Sequence, residues 1–109
     1  MTKRKISGSQ AVILSLLEEG KTKEAGAYFR KAIDLRPDFA RAHFNLGLVF
    51  IDEGMLDEAI ESFKSAVTHD PSLAEAHCNL GTGFLRKKRG NEAVYHFQEA
   101  LRHKPGYVR

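Results

Sequence analysis

The side chains in this sequence able to bind a metal or attack a substrate are five histidines, one cysteine and a scatter of carboxylates. Their spacing decides what they can do. No two histidines lie four apart on one helix and there is no Cys-x2-Cys, so the usual zinc spacings fail. His43 and His77, like His69 and His103, are separated by 34 residues, which makes them equivalent places in a repeat rather than ligands of one ion. His96 and His103 share a helical face two turns apart. Cys78 has neither a disulfide partner nor a neighbouring group to activate it, so it reads as a semi-buried structural thiol in a reducing compartment. Gly81-Thr82-Gly83 falls mid-helix and is no phosphate loop, and Glu18-Glu19 and Asp52-Glu53 read as solvated helix ends. The expectation is a chain that is not an enzyme and carries no metal or other cofactor.

The elements that hold these residues follow from periodicity. Ala42, Leu46, Val49 and Phe50 recur at three- and four-residue steps, the mark of one helical face. Gly54 supplies a helix stop, and a second periodic run (Ala59, Ile60, Phe63, Ala66, Val67) follows, with Asp57 placed to cap it. Asp70-Pro71 closes the unit, because the residue before a proline is pushed out of helical geometry. The same unit recurs without insertion. Pro37, Pro71 and Pro105 are 34 residues apart, as are Ala25, Ala59 and Ala93, and Phe29, Phe63 and Phe97. The units are 6–39, 40–73 and 74–107. Helices are expected near 9–19, 23–35, 40–53, 57–69, 74–87 and 91–104, with no strand.

This pattern resembles the tetratricopeptide repeat. The middle unit carries it as His43-x2-Leu46-Gly47-x2-Phe50, Ala59-x3-Phe63 and Pro71, and the last as His77-x2-Leu80-Gly81-x2-Phe84, Ala93-x3-Phe97 and Pro105. Both have His where the family commonly has an aromatic. The first unit departs further, with Ser9, Val12, Ile13 and Leu16 at the leading signature positions, while Ala25-x3-Phe29 and Pro37 fit. The resemblance implies an all-α superhelical stack of three antiparallel helix pairs over 6–109, behind a basic, disordered terminus at 1–5. It also implies a scaffold for protein–protein interaction.

Charge is distributed by unit: residues 6–39 are neutral, 40–73 carry −4 and 74–107 carry +3, within a chain of net +3. Arg86-Lys87-Lys88-Arg89 reads as an exposed turn stripe. A nucleic-acid binder would spread its basic residues over one face with aromatics for stacking, so nucleic acid is not an expected partner. No apolar run approaches a membrane span or a secretion signal, so the expected location is cytoplasmic and no membrane contact is expected.

What remains is binding. Each unit's first helix has a stripe left over after its core face is assigned. In the middle unit it is Arg41, Phe44, Asn45, Leu48, Ile51 and Asp52. In the last it is Glu75, Cys78, Asn79, Thr82, Leu85 and Arg86, and in the first Ser7, Gln10, Ala11, Leu14, Leu17 and Glu18. By resemblance these stripes line a concave groove in which a peptide or partner helix docks, with Asn45 and Asn79 exposed to hold its backbone over Phe44 and Leu48. The family's carboxylate-clamp residues would fall on Gln10, Leu14, Asn45, Glu75 and Asn79. Only Asn45 suits that role, so binding of chaperone tails is not expected. The asparagine ladder of some long arrays is matched at Asn45 and Asn79 but not at Ala11. Arg41 should face Glu75, and Asp52 should face Arg86. The alternative is a structural segment of a longer array attached to another domain, catalytic or not. At the C-terminal end Val94, Phe97 and Leu101 have the spacing that in earlier units meets the next helix, and Tyr107 and Val108 begin such a unit. A homo-oligomer formed through this uncapped end is therefore expected.

Overall fold

The computed structural model describes residues 21–104, and these form five helices and no strand. They are α1 (Thr22–Leu35), α2 (Ala40–Asp52), α3 (Leu56–His69), α4 (Ala74–Arg86) and α5 (Gly90–His103). α1 is the second helix of the first unit, α2 and α3 make the middle unit, and α4 and α5 the last. Each described boundary falls within a residue of its expected position. The expected helix 9–19, the stripe from Ser7 to Glu18, the 1–5 terminus and Tyr107–Val108 lie outside the described residues.

The helix pairs are joined by a tight left-handed stop. Gly54 ends α2 at φ +76°, and the amide of Met55 donates to Phe50 O at 2.8 Å, closing one carbonyl that the helix end would leave open. The last unit repeats this turn with Lys88 at φ 61° and Arg89 donating to Phe84 O at 2.8 Å. A side chain at that φ costs on the order of 1 kcal/mol relative to glycine. The expected cap at Asp57 is corrected. α3 begins at Leu56, the capping position is Met55 with no side-chain bond, and Asp57 sits within the first turn. There its charge complements the positive end of the helix.

Within a unit the two helices lock through one aromatic and one glycine. A Cβ built on Gly47 would lie 2.5 Å from the Phe63 ring, and one on Gly81 would lie 2.6 Å from Phe97. Glycine lets each ring approach the facing backbone closely. Phe63 is 1% exposed, and burial of such a side chain stabilises by roughly 1.5–3 kcal/mol. Ala59, Ala66, Ala93 and Ala100, all 0% exposed, keep the helices of each pair close.

Between units the seams are packed in opposite senses. At the first seam Gly26 of α1 receives Val49 of α2, and a Cβ on Gly26 would meet Val49 Cγ1 at 3.5 Å. At the second seam the corresponding positions are exchanged. Ile60 of α3 fills the space over Gly83 of α4, where a Cβ would lie 3.0 Å from Ile60 Cγ1. Small-against-large has become large-against-small, so both seams reach close packing with different residues.

Candidate functional site

α2 and α4 are the first helices of adjacent units, and a hollow of about 130 Å³ lies between them. Leu48 and Ile51 line it from α2, Asn79, Thr82 and Arg86 from α4, with Phe63 and Gly83 completing the lining. Gly83 helps to make the hollow: the corresponding residue of the middle unit is Val49, whose side chain is buried in the first seam. Five members of the two stripes thus converge on one concavity, apolar on the α2 side and polar on the α4 side. Thr82 Oγ1 is turned back onto Cys78 O at 3.2 Å. Asn79 and Arg86 are left to face solvent from the edge.

Other stripe residues are placed differently. Phe44 is 7% exposed and belongs to the core, its ring 5.6 Å from Phe63 and in one cluster with Leu73, Ala76 and Leu80. An aromatic of that size lowers its free energy by entering the seam rather than flooring a wet groove. Asn45 is 3% exposed, and its buried Oδ1 accepts no hydrogen bond. The strip left accessible on a helix with neighbours on both flanks is narrower than the whole non-core face. Exposure of both asparagines is therefore corrected to exposure of Asn79, which is half-buried at the hollow's edge. Cys78 is half-buried and forms no disulfide, and burial pushes its thiol pKa up.

The expected ion pair Arg41–Glu75 is present at 3.8 Å, and the Arg41 guanidinium also lies 5.2 Å from the Phe44 ring centroid. Asp52 and Arg86 form no ion pair: both are exposed, and Arg86 lies along the hollow instead. A charge pair in that setting gains about 0–1 kcal/mol, too little to hold two long side chains together. A second charge contact between the middle and last units is Lys87 with Asp57, Nζ to Oδ1 at 2.6 Å. Arg89 bonds Glu92, holding that carboxyl below the usual range, and stacks over Phe84 at 5.0 Å. Two of the four basic residues of the turn, Lys87 and Arg89, are thus engaged within the molecule.

The histidines have a structural task that the spacing of metal ligands could not reveal. His43 Nε2 donates to Pro37 O at 2.8 Å, and His77 Nε2 donates to Pro71 O at 2.9 Å. A carbonyl only accepts, so each ring carries its proton on Nε2. Each unit's leading histidine thereby ties down the proline turn that enters the unit. The signal was a His six residues after the proline in both units. Among the described residues no group of three or more His, Cys, Asp or Glu could hold a metal ion, and no helix is long and apolar enough to cross a membrane.

On the outer face of α5, Val94 and Leu101 are 55% and 41% exposed, whereas Ile60, the counterpart of Val94, is 6% exposed beneath α4. Phe97 is not part of that free face. It packs on Gly81 of its own unit, because the lock between α4 and α5 requires it there.

Known structures share this architecture. MamA superposes with a TM-score of 0.79 at 27% identity, over 85% of this chain and 54% of its own. MamA 41-end from Desulfovibrio magneticus RS-1 gives a TM-score of 0.77 at 27% identity, over 93% of this chain and 57% of that one. YrrB, a repeat protein described as having an unusual peptide-binding site, gives 0.76 at 26%, over 94% and 54%. The chain thus spans somewhat more than half the length of each. No curated protein sequence matches it. The family model for the tetratricopeptide repeat matches residues 13–74 and 56–108. With the period, the helix pairs and these likenesses in agreement, the chain belongs to the tetratricopeptide repeat family.

Proposed function

We propose that the chain is a non-enzymatic interaction module that holds an extended peptide, or one face of a partner helix, in the hollow between α2 and α4. The observation that carries this reading is the hollow itself. Its volume of about 130 Å³ suits one apolar side chain between Leu48 and Ile51, while Asn79 and Arg86 stand at its edge to meet the ligand's backbone and a carboxylate. Of the other stripe residues, Thr82 adds a polar group to the lining. The peptide-binding description of YrrB, a structural relative, supports the same class of ligand. The test uses an array of short peptides pairing an apolar anchor with an acidic residue, followed by calorimetry on the best binder. Ile51→Glu and Asn79→Ala should each weaken binding by roughly 5–30-fold, a loss of 1–2 kcal/mol, with helicity unchanged by circular dichroism. Unchanged affinity in both variants would place the ligand elsewhere.

A second reading rests on the exposed outer face of α5. Its counterpart on α3 is covered by a helix of the following unit, so the surface is shaped to receive a helix, and we assign it to a second copy of this chain. The competing occupant is a further repeat of a longer array. Sedimentation velocity should show concentration-dependent association that Val94→Glu with Leu101→Glu abolishes. A strict monomer at high concentration would refute it.

A further inference from the structure

The last unit contains a histidine contact that the middle unit lacks. His77 is 4% exposed, and its Nδ1 lies 3.1 Å from Nδ1 of His96 on α5. The Pro71 carbonyl settles the protons. Because His77 Nε2 must donate to it, the neutral His77 ring has a bare Nδ1, and His96 must donate from its own Nδ1. His96 is thereby held as the Nδ1–H tautomer, with its ring 5.6 Å from Phe84.

We propose that this His77–His96 contact is an acid-sensitive clasp between α4 and α5, closed when the neutral pair has taken up at most one extra proton and opened by a second. One added proton can be accommodated, since a single N–H still lies between the two Nδ1 atoms. With two, an N–H on each ring faces the other at 3.1 Å and two cations share a site of low polarity. Relief requires the rings to part, and with them the helices they join.

The groups facing the pair do not rescue the doubly charged state. His103 of α5 stacks on His77 at 6.2 Å, and its buried Nε2 has no hydrogen-bond partner. That nitrogen lies 3.7 Å from Glu99 of α5. Glu99 is already bound by Arg102, which holds its carboxyl below the usual range. Glu99 and then Glu92 of α5 favour the charged form of His96, and Lys64 of α3 opposes it. Burial, and then the charge of His77, lower the His96 pKa. The sign follows. With a folded pKa below the unfolded value near 6.5, the contribution to stability is complete above about pH 6.5 and is lost as pH falls through that value toward the folded pKa.

The middle unit supplies the control. There His43 keeps the proline tether, and the place of His96 is taken by Ser62, itself 9% exposed. His96→Ser therefore installs a residue already buried at the equivalent position.

Hydrogen-exchange protection factors should be followed by NMR from about pH 7.5 to about pH 5 in the wild type and in His96→Ser. In the wild type, protection across α4 and α5 should fall several-fold relative to α2 and α3, which change little. In His96→Ser the differential loss should vanish. If the variant fails to fold, imidazole 15N shifts of the wild type at high pH decide, because His96 must appear as the Nδ1–H tautomer and His77 as Nε2–H. An Nε2–H His96, or a pH-dependent loss unchanged by His96→Ser, would overturn the clasp.

Discussion

The exchanged packing at the two seams makes a quantitative demand on Gly83. A Cβ there would sit 3.0 Å from Ile60 Cγ1 and 3.3 Å from Cδ1, both inside ordinary contact, and Ile60 is 6% exposed with little room to retreat. Gly83→Val should therefore cost about 1–3 kcal/mol of overpacking, offset by roughly 0.4 kcal/mol because valine suits a helix better than glycine. Ile60→Ala alone leaves a cavity and should cost about 2–4 kcal/mol. Together the two changes rebuild at the second seam the arrangement of the first, where Gly26 lies under Val49. The double variant should be less destabilised than the sum of the singles by at least about 1 kcal/mol. Urea unfolding of all four proteins, followed by far-ultraviolet circular dichroism, measures the cycle. Melting temperatures should move by about 4–8 °C per kcal/mol. Additivity within about 0.5 kcal/mol would show that the residues do not share a site and would refute the complementary-seam account.

Three further outcomes are expected. Lys88→Gly should stabilise by about 1 kcal/mol, seen as a raised melting temperature, since Lys88 holds φ 61° where Gly54 performs the same turn at φ +76°. Gly47→Ala should destabilise by about 1–3 kcal/mol on urea unfolding, because its methyl group would enter the Phe63 ring, whereas Gly54→Ala should lose stability through backbone strain alone, with nothing within 4 Å of its Cβ. Lys87→Ala should cost no more than about 1 kcal/mol in the same assay, and the difference should shrink in high salt, because Asp57, its partner across the seam, is largely exposed.

The helix pairs and the Gly54 stop were legible because each depends on local periodicity or on one residue type at a fixed offset, and Arg41 facing Glu75 followed from the 34-residue register. The intra-unit locks were not: Phe97 was assigned to the outer face, but it packs on Gly81. The stripe assignment was less legible. A helical wheel can say that Phe44 and Asn45 are off the core face, but not that neighbouring helices cover the flanks on which they lie. The Lys87–Asp57 contact between the same two units was missed for a related reason. Lys87 and Asp57 are 30 residues apart, off the 34-residue register used to pair Asp52 with Arg86, and a long side chain chooses its carboxylate by tertiary geometry.

The places where the repeat is broken carry the individual chemistry. Gly26 becomes Ile60 and Val49 becomes Gly83, which moves bulk across a seam and helps to open the hollow. Ser62 becomes His96, which adds a second titrating ring beside a histidine already committed to a carbonyl. Residues that recur at 34 build the stack, since every unit must solve the same burial problem. Residues that fail to recur are free of that common constraint, and their effects are confined to the neighbours they touch. A substitution copied from one unit into the equivalent place of another therefore tests a local contact while leaving the architecture intact. That is why Gly83→Val, Lys88→Gly and His96→Ser can each be read as a change in one contact.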